Sequence, residues 1–138
     1  MANASIYKQV KEVLYKGDEH LLEFMDALPQ MAWTGSPAGK ILYFNNAWYE
    51  YTGMRRGLTT DGWLSAVHPE DSFAVIEAWN KSLQSGDYHM ECRVRNGTDG
   101  PYKWFLEQAM PICNENGDVI IWFGTYTDID REKQVEEP

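Results

Sequence analysis

Cysteine is nearly missing: Cys92 and Cys113 are the two in 138 residues. Two thiols make no disulfide framework, and they suit a reducing, cytoplasmic setting in which each acts as a small core residue. No apolar run approaches the about 18 residues that would indicate a spanning helix. The first ten residues lack the apolar centre of a secretion signal, so the sequon-like strings at Asn3 and Asn96 carry no weight. Positive charge is also scarce. Twelve Lys and Arg stand against 21 Asp and Glu, a net charge of −9, which argues against nucleic acid or an anionic membrane surface as partner. Metal-ligand spacing is absent as well. His89 and Cys92 lie three apart in an extended segment and point to opposite faces, and His20 is remote from both. No Ser or Cys sits in a nucleophile motif.

What is present is core material. The chain is 43% hydrophobic with six Trp and eight Tyr, enough for one domain that buries roughly two-thirds of its unfolded surface. Ile6, Val10, Val13 and Leu14 recur at helical spacing, predicting an amphipathic helix over 4–16. Gly17 breaks it, and Asp18 is placed to cap a second helix that Pro29 ends. Residues 31–35 and 41–44 read as a hairpin around Ser36–Gly39. Asn45 is a natural N-cap for the next helix and Gly53 its stop. His68-Pro-Glu-Asp71 starts a long helix that runs to Ser85, with Pro at its first position and acids in its first turn. Three strands follow, over 88–95, 102–112 and 119–127. Residues 128–138 then turn polar and helical. Residues 1–17 are therefore read as a flanking helix, 18–128 as the domain, and 129–138 as the start of a connector to a further domain. Five strands with the middle helices inserted between strands two and three imply an α+β fold, an antiparallel sheet with helices on one face.

Five fragments resemble the PAS family, in its subtype with the carboxy-terminal PAC half. They are Gly39-Lys-Ile-Leu-Tyr-Phe-Asn45 with Gly53 following, Trp63-Leu-Ser-Ala-Val-His-Pro-Glu-Asp71, Glu91-Cys-Arg-Val-Arg95, Tyr102-Lys-Trp-Phe105 and Trp122-Phe-Gly-Thr-Tyr-Thr-Asp-Ile129. The resemblance spans about residues 20–133. Two positions depart from the family pattern, Ser36 before Pro37 and Asp130 after Ile129, and both replacements can still turn or cap the chain. The resemblance implies a five-stranded antiparallel sheet of order 2-1-5-4-3 and a sensory or protein-interaction role without catalysis. It further implies a bacterial signalling protein of the two-component type, with a histidine kinase or cyclic-dinucleotide enzyme as the linked output domain and homodimerisation through flanking helices.

The same resemblance sets expectations for sites. Flavin-binding light sensors of the family carry an Asn-Cys string that is missing here. His68, positioned where some members ligate haem, reads better as part of a helix start. No cofactor is therefore expected, although a small-molecule ligand is compatible with the family. A ligand cavity would be lined by Trp33, Phe44, Trp48, Tyr51, Trp63, Val75, Trp79, Met90, Cys92 and Leu106. Large rings at these positions could equally fill the space. Thr127, Asp128 and Asp130 mark the exit of the signal. The last strands are apolar on both alternations, so an outer face carrying Trp104 and Trp122 is expected to be covered by Ile6, Val10, Val13 and Leu14, from the same chain or from a dimer partner. Two other readings share these features: a ligand-free dimerisation module with a filled core, and a small cup-shaped α+β enzyme of the isomerase or dehydratase type.

Overall fold

Asn45 shows how the amino-terminal half is held together. Its side chain is fully buried and bonds in four directions. Nδ2 donates to the carbonyls of Met25 (2.8 Å) and Gln30 (2.9 Å), while Oδ1 accepts from the amides of Ala32 (2.9 Å) and Trp48 (3.3 Å). A buried amide satisfied in this way orders everything it touches. It joins helix α1 (Asp18–Ala27), strand β1 (Ala32–Gly35) and helix α2 (Asn46–Thr52). The computed structural model describes residues 6, 8–10, 12, 13, 17–56 and 60–136. The remaining elements are β2 (Ile41–Phe44), a 3₁₀ helix (Thr60–Ala66), α3 (Pro69–Ser85), β3 (Tyr88–Arg95), β4 (Tyr102–Cys113), β5 (Val119–Asp128) and α4 (Asp130–Glu136).

The five strands form one antiparallel sheet of order β2-β1-β5-β4-β3, as expected. Helix ends follow the local chemistry. Gly53 and Gly86 terminate α2 and α3 in the left-handed conformation, with φ of 70° and 77°. His68 caps α3, its Nδ1 accepting from the Glu70 amide at 3.1 Å. One boundary differs from expectation: α1 begins at Asp18 itself, and Gly17 with φ 112° occupies the cap position.

Each face of the sheet carries its own core. On the inner face Trp33, Phe44, Trp48, Val75, Cys92, Phe105, Trp122 and Tyr126 pack with α2, the 3₁₀ helix and α3. On the outer face Ala32, Ile112 and Phe123 meet Leu21 and Met25 of α1 and the fully buried Val10. Residues 6, 8–10, 12 and 13 are helical, and Ile6 and Val13 are half-buried against the same cluster. The amino-terminal segment thus covers the outer face from its own chain. Leu14 lies outside the described residues.

Three expected placements change. Trp122 is an inner-face residue, 1% exposed. Trp104 does lie on the outer face, but among the described residues it is the connector α4 that covers it: Lys133 sits 4.9 Å from its ring. Leu106 points outward too, because the inner phase of β4 belongs to Phe105, Glu107 and Ala109, paired with Cys92, Met90 and Tyr88. A strand apolar on both alternations does not reveal its own phase. The phase is set by pairing, and by the bulge between Ile112 and Cys113.

Candidate functional site

Between the sheet and the helices the rings leave a chamber of about 10 Å³, the space of one water molecule. Its walls are Trp33, Ile41, Phe44, Trp63, Trp79, Tyr88, Glu107 and Tyr126. Four of these, Trp33, Phe44, Trp63 and Trp79, are among the residues expected to line a cavity. Trp48, Val75, Met90 and Cys92 belong to the same core without reaching the chamber, and Tyr51 lines a separate groove. The rings meet mostly edge to face, Trp79 lying 5.3 Å from Trp33, 5.4 Å from Tyr88 and 4.9 Å from Trp122. This is the favourable geometry for aromatic quadrupoles.

Gly124 makes the packing possible. A Cβ there would stand 2.1 Å from Cε2 of Trp33, so only a glycine lets the indole lie across the middle of β5.

Glu107 is the polar centre of this apolar chamber, at 2% exposure. The Tyr88 hydroxyl donates to its Oε1 at 2.8 Å. The Tyr126 hydroxyl and the Trp33 indole N–H face the same carboxylate from β5 and β1, and neither completes a hydrogen bond of ordinary geometry. Burial pushes the Glu107 carboxyl up to about 7, and the donors of Tyr88, Tyr126 and Trp33 restrain the rise. The phenols of Tyr88 and Tyr126 are raised far above their usual value, by burial first and then by the charge of Glu107. The Cys92 thiol is likewise raised, by burial and then by Glu107, so it is an unreactive core residue. The sequence reading missed Glu107, Tyr88 and Tyr126. A signal was available, since Glu107 shares the phase of Phe105 and Ala109, but the apolar Leu106 pointed to the opposite phase.

An open groove of about 560 Å³ lies beside the chamber, bounded by Tyr51, Lys103, Phe105, Tyr126, Thr127 and Asp128 among others. Tyr126 is common to both. Two residues beyond it the sheet hands over to α4. Asp128 Oδ1 accepts from the Asp130 amide at 2.9 Å. Asp130 Oδ1 accepts from the Trp104 amide at 3.0 Å, and the Ile129 amide donates to the Trp104 carbonyl at 3.0 Å. Both carboxylates were expected to cap the helix. Asp128 does, while Asp130 fastens the helix to β4. Thr127 Oγ1 accepts from Gln30 Nε2 at 3.1 Å.

Trp104 is flanked by two cations, Arg93 and Lys133, each 4.9 Å from its ring. Arg93 in turn grips Asp71 in the first turn of α3 through Nε (3.0 Å) and Nη2 (2.8 Å). Burial would raise the Asp71 carboxyl, but the hydrogen bonds and charge of Arg93 outweigh it and hold the group below its usual value. Among the described residues no group of three or more His, Cys, Asp or Glu is arranged to hold a metal, and no helix is long and apolar enough to cross a membrane.

The family model described as the PAS fold matches residues 41–126. Over 120 residues the chain is 31% identical to the uncharacterized protein y4lL of Sinorhizobium fredii, covering 86% of this chain and 14% of that protein. It is 30% identical over 114 residues to the peroxide stress-activated histidine kinase mak1 of Schizosaccharomyces pombe, covering 81% of this chain and 7% of the kinase. The chain therefore spans a small fraction of the length of these relatives. Among solved structures it is similar to a domain of the putative light and redox sensing histidine kinase from Haloarcula marismortui. That match has a TM-score of 0.59 and 26% identity, over 81% of this chain and 99% of the other.

Proposed function

Since the chain belongs to the PAS-fold family, we propose that it is the sensory module of a longer signalling protein and that its state leaves through α4. The observation carrying this reading is the junction at Trp104. The connector is tied to β4 by both backbone polar groups of that residue, and its ring is held between Arg93, itself bound to α3, and Lys133 of the connector. A shift of α3 or of β4 against β5 therefore reaches the first turn of α4. A ligand or partner drives such a shift only through unequal affinity for the two arrangements.

The similarity to a histidine kinase favours a kinase as output, with a cyclic-dinucleotide enzyme as the alternative. The module has no catalytic role of its own in this reading and works in the cytoplasm. Neither haem nor flavin is assigned to the core, because a chamber of about 10 Å³ is far below the roughly 300 Å³ that a drug-sized ligand occupies. A homodimer formed through the flanking helices belongs to the same reading. If the chamber takes no ligand at all, the module serves as a dimerisation unit with a filled core.

The test is Asp128→Ala combined with Asp130→Ala in the full-length parent protein. Losing the Asp128 cap costs about 1 kcal/mol and losing the Asp130 acceptor of the Trp104 amide costs about 1 kcal/mol more, so the domain should remain folded while stimulus-dependent output is lost. Normal regulation by the doubly substituted protein would make the junction a passive tether.

A further inference from the structure

The open groove beside the chamber is lined by charges of both signs, Lys103 and Asp128. Lys103 shares the inner phase of Phe105 on β4, and Phe105 is the cross-strand partner of Asp128. The two are therefore diagonal neighbours on one face of the sheet, about 7–8 Å apart backbone to backbone. No ion pair joins them, and none links the half-buried Lys103 to another described carboxylate. Asp128 commits Oδ1 to the Asp130 amide at 2.9 Å, which leaves Oδ2 open to a second donor. Apolar surface lies between the charges. Phe105 closes the bottom, Pro29 stands on the rim, and the Tyr51 ring meets Phe105 edge to face at 5.2 Å. The Tyr51 hydroxyl is fixed on the Val94 carbonyl at 2.9 Å, so this wall is preformed. Burial, and then the charges of Asp128 and Asp130, raise the Tyr51 phenol, consistent with carboxylates close to this ring.

We propose that this groove binds a free α-amino acid with an apolar side chain, of the size of leucine or phenylalanine. Its carboxylate lies on Lys103, with the exposed side-chain amide of Asn96 at the rim as a second donor. Its ammonium donates to Oδ2 of Asp128, and its side chain covers Tyr51 and Phe105. Three observations select this class. The volume of about 560 Å³ lies within the range of small-molecule sites. One charge of each sign suits a zwitterion: an organic acid without the amine sets its charge beside Asp128 uncompensated, and an amine without the carboxylate does the same beside Lys103. The chain's net charge of −9 also repels anions at long range, whereas a zwitterion carries no net charge. The apolar wall then gives the side chain surface to bury.

Such a ligand bears directly on the exit. The carboxylate that takes its ammonium is the one that caps α4, so occupancy alters the charge and geometry at the first turn of the connector.

The site deepens the sensory reading and rests on it, yet binding is read on the purified 138-residue chain without any output, so failure here leaves the Trp104 junction standing. Isothermal titration calorimetry compares L-leucine and L-phenylalanine with phenylpropionate, which lacks the amine, and phenethylamine, which lacks the carboxylate. The expected result is saturable binding of at least one amino acid, with both half-molecules about tenfold weaker or worse, since each forfeits a charge-assisted contact. Lys103→Met and Asp128→Asn should weaken the amino acid by a similar factor; Asn retains the oxygen that caps α4. Should a variant fail to fold, the four ligands on the unsubstituted chain decide. No saturable heat with either amino acid, the outcome if a second copy of the chain fills the groove, would overturn the proposal. So would a half-molecule that binds as well as the amino acid, or an affinity unchanged in both variants.

Discussion

Raising the pH through neutrality should weaken this fold, and Glu107 should account for most of the effect. Its carboxyl titrates at 4.5 when unperturbed and at about 7 in the folded protein. Between those values the native state holds a proton that the unfolded chain has released. Stability is therefore full below 4.5, falls as pH rises toward about 7, and levels off above it. At about 1.4 kcal/mol per pH unit, the loss across the window is roughly 3 kcal/mol, against a total of about 5–15 kcal/mol for a typical domain. At 2% exposure little solvent screening reduces the effect. Asp71 works the other way but elsewhere: its carboxyl is held below 3.8, so its contribution is lost only as pH falls beneath the window. Glu107→Gln keeps the shape and removes the titration. Urea denaturation at a series of pH values, for the natural chain and the variant, should give curves that diverge by roughly 3 kcal/mol across the window. Parallel curves would refute the reasoning, because they would mean that the buried carboxyl has no shifted titration to lose.

Gly124→Ala should cost about 3 kcal/mol or more, beyond ordinary overpacking, because the new methyl would overlap the Trp33 indole, 2.1 Å from Cε2. A urea midpoint close to that of the natural chain would show that Trp33 can move aside. Deleting residues 1–17 uncovers Phe123, Ile112 and Met25 on the outer face and should lower both solubility and melting temperature. Light scattering on the same variant tests the proposed dimer, which should dissociate; an unchanged mass would place the dimer contact elsewhere.

Much of the fold was legible because local rules agree with one another. The turn and cap residues Asn45, Gly53, His68-Pro69 and Gly86 mark boundaries by backbone chemistry alone, and the structure places helix starts and stops there. The amino-terminal stripe of Ile6, Val10 and Val13 likewise announced a helix with one apolar face. Asp128 could be recognised as a cap because capping needs nothing beyond the next two residues.

The chemistry of the chamber was not legible in the same way. Tyr88, Glu107 and Tyr126 lie on three strands, and only the antiparallel register brings them together with Trp33. In β4 the sequence offered Leu106 and Glu107 as neighbours and favoured the apolar one for the interior. The structure chose the acid, because the phase of a strand is decided by its partners and its bulge rather than by its own residues. Trp122 and Trp104 were assigned to one face for the same reason and separated by the same cause. The sequence by itself determined which elements form and where they end, since capping, turn chemistry and helical periodicity act over a few residues. Tertiary structure alone decided which side chains meet across the sheet, and so put a buried carboxylate among the rings, because strand phase is a property of pairing at long range.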